Sequence, residues 1–164
     1  MTILGIDPGL ATMGWGVIET DGSHHSMRGY GALLTRPGQT MPARLVQLFD
    51  GVAELLRIYE PGAVAFEELF FSKNVTTAMA VGAARGAAML AAARHTGELY
   101  EYTPMQVKQA ITGYGKADKQ QMQWMVRVLL NLDEIPKPDD AADALAVAIA
   151  HAHAGRSAEE FRIK

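Results

Sequence analysis

Two short apolar runs in the sequence end in a carboxylate, one at Asp7 and the other at Glu67. Asp7 closes the run 2–6, and an ionised carboxylate beside buried strand residues needs a cationic partner. The simpler alternative is that Asp7 only caps the turn at Pro8 and Gly9. Because ligands collect at the carboxyl ends of strands in open α/β sheets, we expect Asp7 and Glu67 to face one site.

A neighbouring acid, Glu68, competes with Glu67 for this assignment. Successive side chains of a strand point to opposite faces, so only one of the two can share a site with Asp7. Glu67 has the same parity as the small residues Ala63 and Ala65. We therefore choose Glu67.

A third acidic group lies at the start of the last predicted helix, at Asp139, Asp140 and Asp143. Residues three apart lie on one helix face, so Asp140 and Asp143 project together and Asp139 is turned away. Acids in a first turn also complement the helix dipole, at about 0.3–1 kcal/mol each, and we assign Asp139 to that role. Asp143 lies beyond the cap and shares a face with Val147, which favours a functional role.

The four chosen carboxylates would form an all-oxygen site if they converge, which their spacing alone leaves open. They are Asp7, Glu67, Asp140 and Asp143. Hard oxygen ligands without Cys or His select Mg²⁺ or Mn²⁺ over zinc. Two such ions about 4 Å apart can activate a water and stabilise the leaving oxygen in phosphodiester hydrolysis. The pattern predicts a metal-dependent phosphoryl-transfer site with two Mg²⁺ per subunit, for which Mn²⁺ could substitute.

The elements that must position these acids follow from the apolar periodicity. It predicts strands at 2–6, 13–20, 28–35, 63–66 and 98–103 and helices at 42–59, 75–95, 107–111, 120–130 and 139–154. The first three strands form an antiparallel meander, and strands and helices then alternate, which is typical of an α/β domain with a mixed sheet. We predict one domain over residues 1–155 and a frayed polar tail over 156–164.

Composition limits the possible classes of protein. A length of 164 residues suits one domain, and 49% hydrophobic content can fill its core. No run approaches roughly 18 consecutive apolar residues and the start has no basic segment, so we expect a cytoplasmic protein without a membrane partner. The absence of Cys excludes disulfides and thiolate chemistry, and the five His lack a metal-ligand spacing, so we assign them to surface or packing roles.

The formal net charge of -3 argues mildly against binding to nucleic acid. The charge is unevenly distributed, because residues 69–127 carry seven basic and three acidic residues. Four of the remaining acids are the proposed metal ligands, and two bound divalent ions would make the net charge positive. We therefore expect any binding of a polyanion to depend on both metal and salt.

Five motifs, in order along the chain, resemble the RuvC family of crossover-junction endodeoxyribonucleases. They are LGIDPG at 4–9, FEELFFSKN at 66–74, VKQ at 107–109, GYGKADK at 113–119 and DAADALA at 140–146. The resemblance implies a ribonuclease-H-like fold with a five-stranded mixed sheet flanked by helices. It also implies a homodimer that makes paired symmetric nicks in a four-way (Holliday) junction in recombination and repair, leaving 5′-phosphate and 3′-hydroxyl ends. RuvA and RuvB, which drive branch migration, are the implied protein partners.

The same resemblance implies roles for individual residues. The four acids match the family's metal-binding catalytic acids; the third position can be His in such enzymes, and Asp140 keeps this site all-oxygen. Phe70 matches an aromatic inserted near the crossover. The basic residues expected to hold phosphates are Lys108 and Lys119 near the catalytic centre, with Lys73, Arg85 and Lys116 as further candidates for contact with the DNA backbone. The small residues around Gly82 and Gly86 are implied to lie at or near the subunit interface.

Two other classes of protein share part of this pattern. The segment Gly5 to Gly9 also resembles the first phosphate loop of actin-like ATPases and sugar kinases. Those proteins need a second lobe and a second Gly-rich loop, for which 164 residues are too few. A catalytically inert junction-binding module is the remaining alternative, and it would tolerate the loss of an acid, whereas all four are present.

Overall fold

The computed structural model describes residues 1–69 and 75–164, and its strands form one five-stranded sheet in the order β3-β2-β1-β4-β5. The strands are β1 Thr2–Asp7, β2 Thr12–Thr20, β3 His25–Leu34, β4 Ala63–Glu67 and β5 Leu99–Tyr102. The first three pair antiparallel, and β4 runs parallel to both β1 and β5. The predicted mixed sheet of five strands is confirmed.

Over the described residues, the sheet is accompanied by five α-helices and a final 3₁₀ helix. They are α1 Met41–Tyr59, α2 Val75–His95, α3 Pro104–Thr112, α4 Lys119–Leu129, α5 Asp139–Ala154 and the 3₁₀ helix Gly155–Phe161. Thr103 and Asp118 each form a reciprocal capping box with a glutamine three residues on, which fixes where α3 and α4 begin. The predicted helices agree with these bounds to within a few residues, and α2 matches throughout.

Strand parity divides the core into two layers. On one face of the sheet, α1 and α2 cover Leu4, Ile6, Val64 and Phe66. On the other face, α5 covers the strands together with α3 and α4, and β4 contributes only the small residues Ala63 and Ala65 there. Side chains of odd number on β1 and β4 therefore point toward α5.

Helix α5 lies unusually close to the sheet because glycines face it. A Cβ built on Gly5 would lie 2.1 Å from the carbonyl oxygen of Ala144. A Cβ built on Gly14 would lie 2.0 Å from the carbonyl oxygen of Asp140. Any side chain at these two positions would push the helix away from the strands. The glycines thus allow the start of α5 to lie directly against β1 and β2.

The end of the chain differs from the predicted frayed tail. The Phe161 ring lies 4.7 Å from the Tyr102 ring, centroid to centroid, and the Ile163 amide donates to the Leu99 carbonyl at 2.9 Å. These residues anchor the segment on β5. The prediction failed because the segment is polar on average, and this average conceals two apolar anchors.

Among the described residues, α2 is the one helix long and apolar enough to cross a membrane by length and composition. One of its faces, which includes Ala84 and Ala88, is buried in the layer shared with α1. The opposite face forms a stripe, here called the α2 stripe, of small and exposed apolar residues. Its members are Val75, Met79, Gly82, Gly86 and Leu90. A Cβ on either glycine would meet no atom within 4 Å, so neither glycine serves packing within the described chain.

Candidate active site

The sheet register places Asp7 and Glu67 side by side. Ile6 and Phe66 are partners in the parallel pairing of β1 with β4, and each acid is the next residue. Both acids have the parity that faces α5 and so lie on one face of the sheet, and it is this shared face that the sequence predicts. Their carboxyl groups are hydrogen-bonded to each other. The choice of Glu67 over Glu68, which is exposed, agrees with this geometry.

Helix α5 brings two more acids to the same end of the sheet. The negative charge of Asp143 raises the pKa of both Asp7 and Glu67, and that of Asp140 contributes to the rise at Asp7. Asp143 is only partly buried, with 38% of its side chain exposed. The four predicted carboxylates therefore lie close enough to influence one another's protonation.

Burial makes ionisation of this group unfavourable. Desolvation is the main reason that the pKa of Asp7 rises to about 9, with the charges of Glu67 and Asp143 adding to it. Desolvation also raises the pKa of Glu67 and of Asp143. Without a cation, Asp7 carries a proton at neutral pH and donates a hydrogen bond to the Glu67 carboxylate.

The donor set suits hard divalent cations. Within residues 1–69 and 75–164, no Lys, Arg or His lies at ion-pair distance from Asp7, Glu67 or Asp140. A divalent cation would relieve the repulsion that raises the pKa of Asp7 and of Glu67. Carboxylate oxygens are the ligands that Mg²⁺ and Mn²⁺ prefer. In the same described ranges, no three acids are arranged as a group that could hold one ion. Binding of a divalent cation would thus require the carboxylate side chains to rotate toward it.

Beside the acids lies a cavity of about 210 Å³ whose lining includes two lysines. Glu67 and Asp143 line it together with Lys108 and Lys119. Lys116 is exposed in the turn before α4 and is not among the lining residues. The structure therefore brings two of the predicted phosphate-binding lysines to the acids. Phe70 and Lys73 lie outside the described residues.

Two features of the site were missed by sequence analysis. Asp139 was assigned to the helix dipole alone, yet it forms an ion pair with Lys119 at 3.0 Å. No sequence signal finds this contact, because it depends on how α4 packs beside α5. The second feature is the pair of glycines that face α5, Gly5 and Gly14. Their positions on neighbouring predicted strands are a usable signal of close helix packing.

A mixed sheet of this order, with acids at the ends of β1 and β4 and at the start of α5, defines a nuclease of the ribonuclease-H-like fold. The chain matches the family described as "Crossover junction endodeoxyribonuclease RuvC" over residues 3–151. It belongs to the RuvC family and is a Holliday junction endonuclease, a hydrolase.

Relatives with this description match nearly the whole chain. The chain is 62% identical to the Rubrobacter xylanophilus protein over 154 residues, covering 94% of this chain and 86% of the relative. It is 53% identical to the Alkaliphilus metalliredigens protein over the full length of both. A solved structure of T. thermophilus RuvC in complex with its Holliday junction substrate superposes with a TM-score of 0.87 at 37% identity, covering 96% of each chain.

Proposed function

We propose that Asp7, Glu67, Asp140 and Asp143 hold two Mg²⁺ ions per subunit, and that this centre makes paired, symmetric nicks at a Holliday junction. The observation that carries the proposal is a cluster of carboxyls whose negative charges raise the pKa of Asp7. The cluster lies beside a cavity that Lys108 and Lys119 help to line. Family membership supports a dependence on divalent metal.

The residues divide the chemistry between them. When bound, the ions supply the charge that activates a water and stabilises the leaving oxygen. Water attacks the phosphorus and the bond to the 3′ oxygen breaks, which leaves 5′-phosphate and 3′-hydroxyl ends. Lys108 and Lys119 face the cavity and offset charge that develops on the phosphoryl oxygens. Asp7 gives up its proton when a cation binds, which ties activity to neutral or higher pH.

The test is cleavage of a synthetic four-way junction with Mg²⁺ present. We expect the native chain to nick two opposing strands at symmetric positions, and DNA ligase to reseal the products without further processing. Asp143→Asn should keep junction binding in a gel-shift assay and lose cutting, because the substitution removes a ligand and leaves the DNA-contacting lysines. An intact junction together with ATP hydrolysis would favour the ATPase alternative, and loss of both binding and cutting by Asp143→Asn would assign that residue to the fold.

We also propose that a second copy of the chain packs on the α2 stripe to form the homodimer that paired nicking needs. Val75, Met79 and Leu90 on this stripe are 72%, 72% and 59% exposed. The two glycines between them let another helix approach closely. Leu90→Lys is expected to yield a monomer in sedimentation equilibrium and to nick junctions on one strand at a time.

A matched control for this variant lies on α1. Ile58 is 54% exposed on a helix, like Leu90, but belongs to a different surface. Ile58→Lys should leave both the oligomeric state and the paired nicks unchanged. A Leu90→Lys protein that remains a dimer would remove the α2 stripe from the interface.

The remaining partners follow from the same function. The T. thermophilus relative was solved with a Holliday junction, which supports four-way junction DNA as the substrate of this chain. We place the enzyme in the cytoplasm with RuvA and RuvB as its partners in branch migration. Co-migration with a RuvA-bound junction in a gel-shift assay would test that association.

A further inference from the structure

One carboxylate links helix α4 to the start of α5. Asp139 Oδ1 accepts a hydrogen bond from Gln123 Nε2 at 3.0 Å, and Asp139 Oδ2 lies 3.0 Å from Lys119 Nζ. Lys119 and Gln123 are four residues apart and therefore share a face of α4. Asp139 thus bridges two successive turns of that helix.

The ammonium of Lys119 is shared unequally between two acids. Its Nζ lies 3.0 Å from Asp139 Oδ2 and 3.9 Å from Asp143 Oδ2. The first distance is that of a hydrogen-bonded ion pair, and the second is too long for a hydrogen bond. The backbone of Lys119 is fixed because Asp118 and Gln121 form the capping box that begins α4. Asp139 therefore determines on which side of Asp143 the ammonium rests.

We propose that Asp139 is a positioning residue that holds Lys119 away from Asp143 and so keeps the Asp143 carboxylate available to a divalent cation. The inference rests on the proposed function, in which Asp143 is a metal ligand. Without Asp139, the ammonium would close on Asp143 and compete with the cation for the same oxygens. Gln123 secures this arrangement by occupying the second oxygen of Asp139.

Asp139 could also raise the affinity for a cation directly, without acting through Lys119. Asp139 carries a negative charge near the site, and any such charge attracts cations over a distance. Positioning acts through Lys119, whereas long-range attraction does not. A double-mutant cycle with Lys119 distinguishes the two, because coupling appears only if the effect of Asp139 passes through the lysine.

The experiment measures Mn²⁺ binding by electron paramagnetic resonance, without DNA, in Asp139→Asn, Lys119→Gln and the double variant. We expect Asp139→Asn to weaken Mn²⁺ binding about fivefold in the native background and to change it less than about twofold beside Lys119→Gln, a coupling of ordinary size for neighbouring groups. Gln123→Ala should weaken Mn²⁺ binding less than Asp139→Asn does, and this effect should also shrink beside Lys119→Gln. Asp139→Glu should restore part of the affinity.

Controls keep the outcomes distinct. Asp133 is an exposed acid in the segment between α4 and α5, so Asp133→Asn makes the same charge change and should leave the Mn²⁺ affinity unchanged. Equal weakening by Asp139→Asn in both backgrounds, or none in either, would overturn the positioning role. Native affinity in Asp143→Asn would instead overturn the ligand assignment in the proposed function.

Discussion

Asp7→Asn is expected to reduce junction cleavage about a thousandfold or more, since metal ions supply several kcal/mol of charge stabilisation and this change removes a ligand. The fold should tolerate the change well. In the metal-free protein Asp7 is protonated and donates to Glu67, and an asparagine amide can donate to the same carboxylate. We therefore expect single-turnover cleavage to vanish while the unfolding temperature in EDTA stays the same or rises.

The neighbouring acid Glu68 offers the control for this experiment. It is exposed, follows the end of β4 and has the opposite strand parity to Glu67. Glu68→Gln makes the same charge change near the site and should retain cleavage within a fewfold of native. If Asp7→Asn cleaves within tenfold of the native enzyme, Asp7 only caps the turn before Gly9 and the metal site must lie elsewhere.

The second large effect is on the pH dependence of stability without metal. The pKa of Asp7 is about 9 in the folded chain and near 3.8 when unfolded, so its contribution to stability is full at low pH and is lost as pH rises toward 9. Between these values each pH unit removes up to about 1.4 kcal/mol. We expect the unfolding temperature in EDTA to fall by about 5 °C between pH 6.5 and 8.5.

The pH window avoids a second titrating group with the opposite effect. His151 is buried and hydrogen-bonded to Tyr102, and burial lowers the pKa of its imidazole to about 4. Its contribution to stability is full above its unfolded pKa of about 6.5 and is lost as pH falls below that value. Above pH 6.5 the slope therefore reports mainly the acid cluster.

Mg²⁺ and Asp7→Asn provide the matching measurements for the pH experiment. Bound Mg²⁺ should stabilise the protein more at pH 8.5 than at pH 6.5, because at the lower pH protons compete for the same oxygens. In EDTA, Asp7→Asn should remove most of the fall in unfolding temperature between pH 6.5 and 8.5. A native protein whose unfolding temperature does not change across this range would mean that Asp7 ionises freely in the folded state.

Sequence reasoning predicts the placement of side chains where local rules determine it. Strand parity selected Glu67 and placed it beside Asp7, and the three-residue spacing on α5 selected Asp140 and Asp143. Those rules describe only one element at a time. The contact of Asp139 with Lys119 depends on the packing of two helices, and the docking of Phe161 on Tyr102 depends on the edge of the finished sheet. Neither could be found before the tertiary arrangement was known.

The contact between α5 and the sheet also determines which core positions can accept substitutions. Main-chain atoms of α5 lie against Gly5 and Gly14 there, so a side chain at either position would change the distance from the strands to the acids of α5. On the opposite face, the layer around Leu56 and Phe66 is packed by side chains alone. Substitutions in that half of the interior leave the close contact at Gly5 and Gly14 untouched, so we expect them to change stability more than the placement of the acids on α5. Engineering for heat resistance should therefore begin beneath α1 and α2.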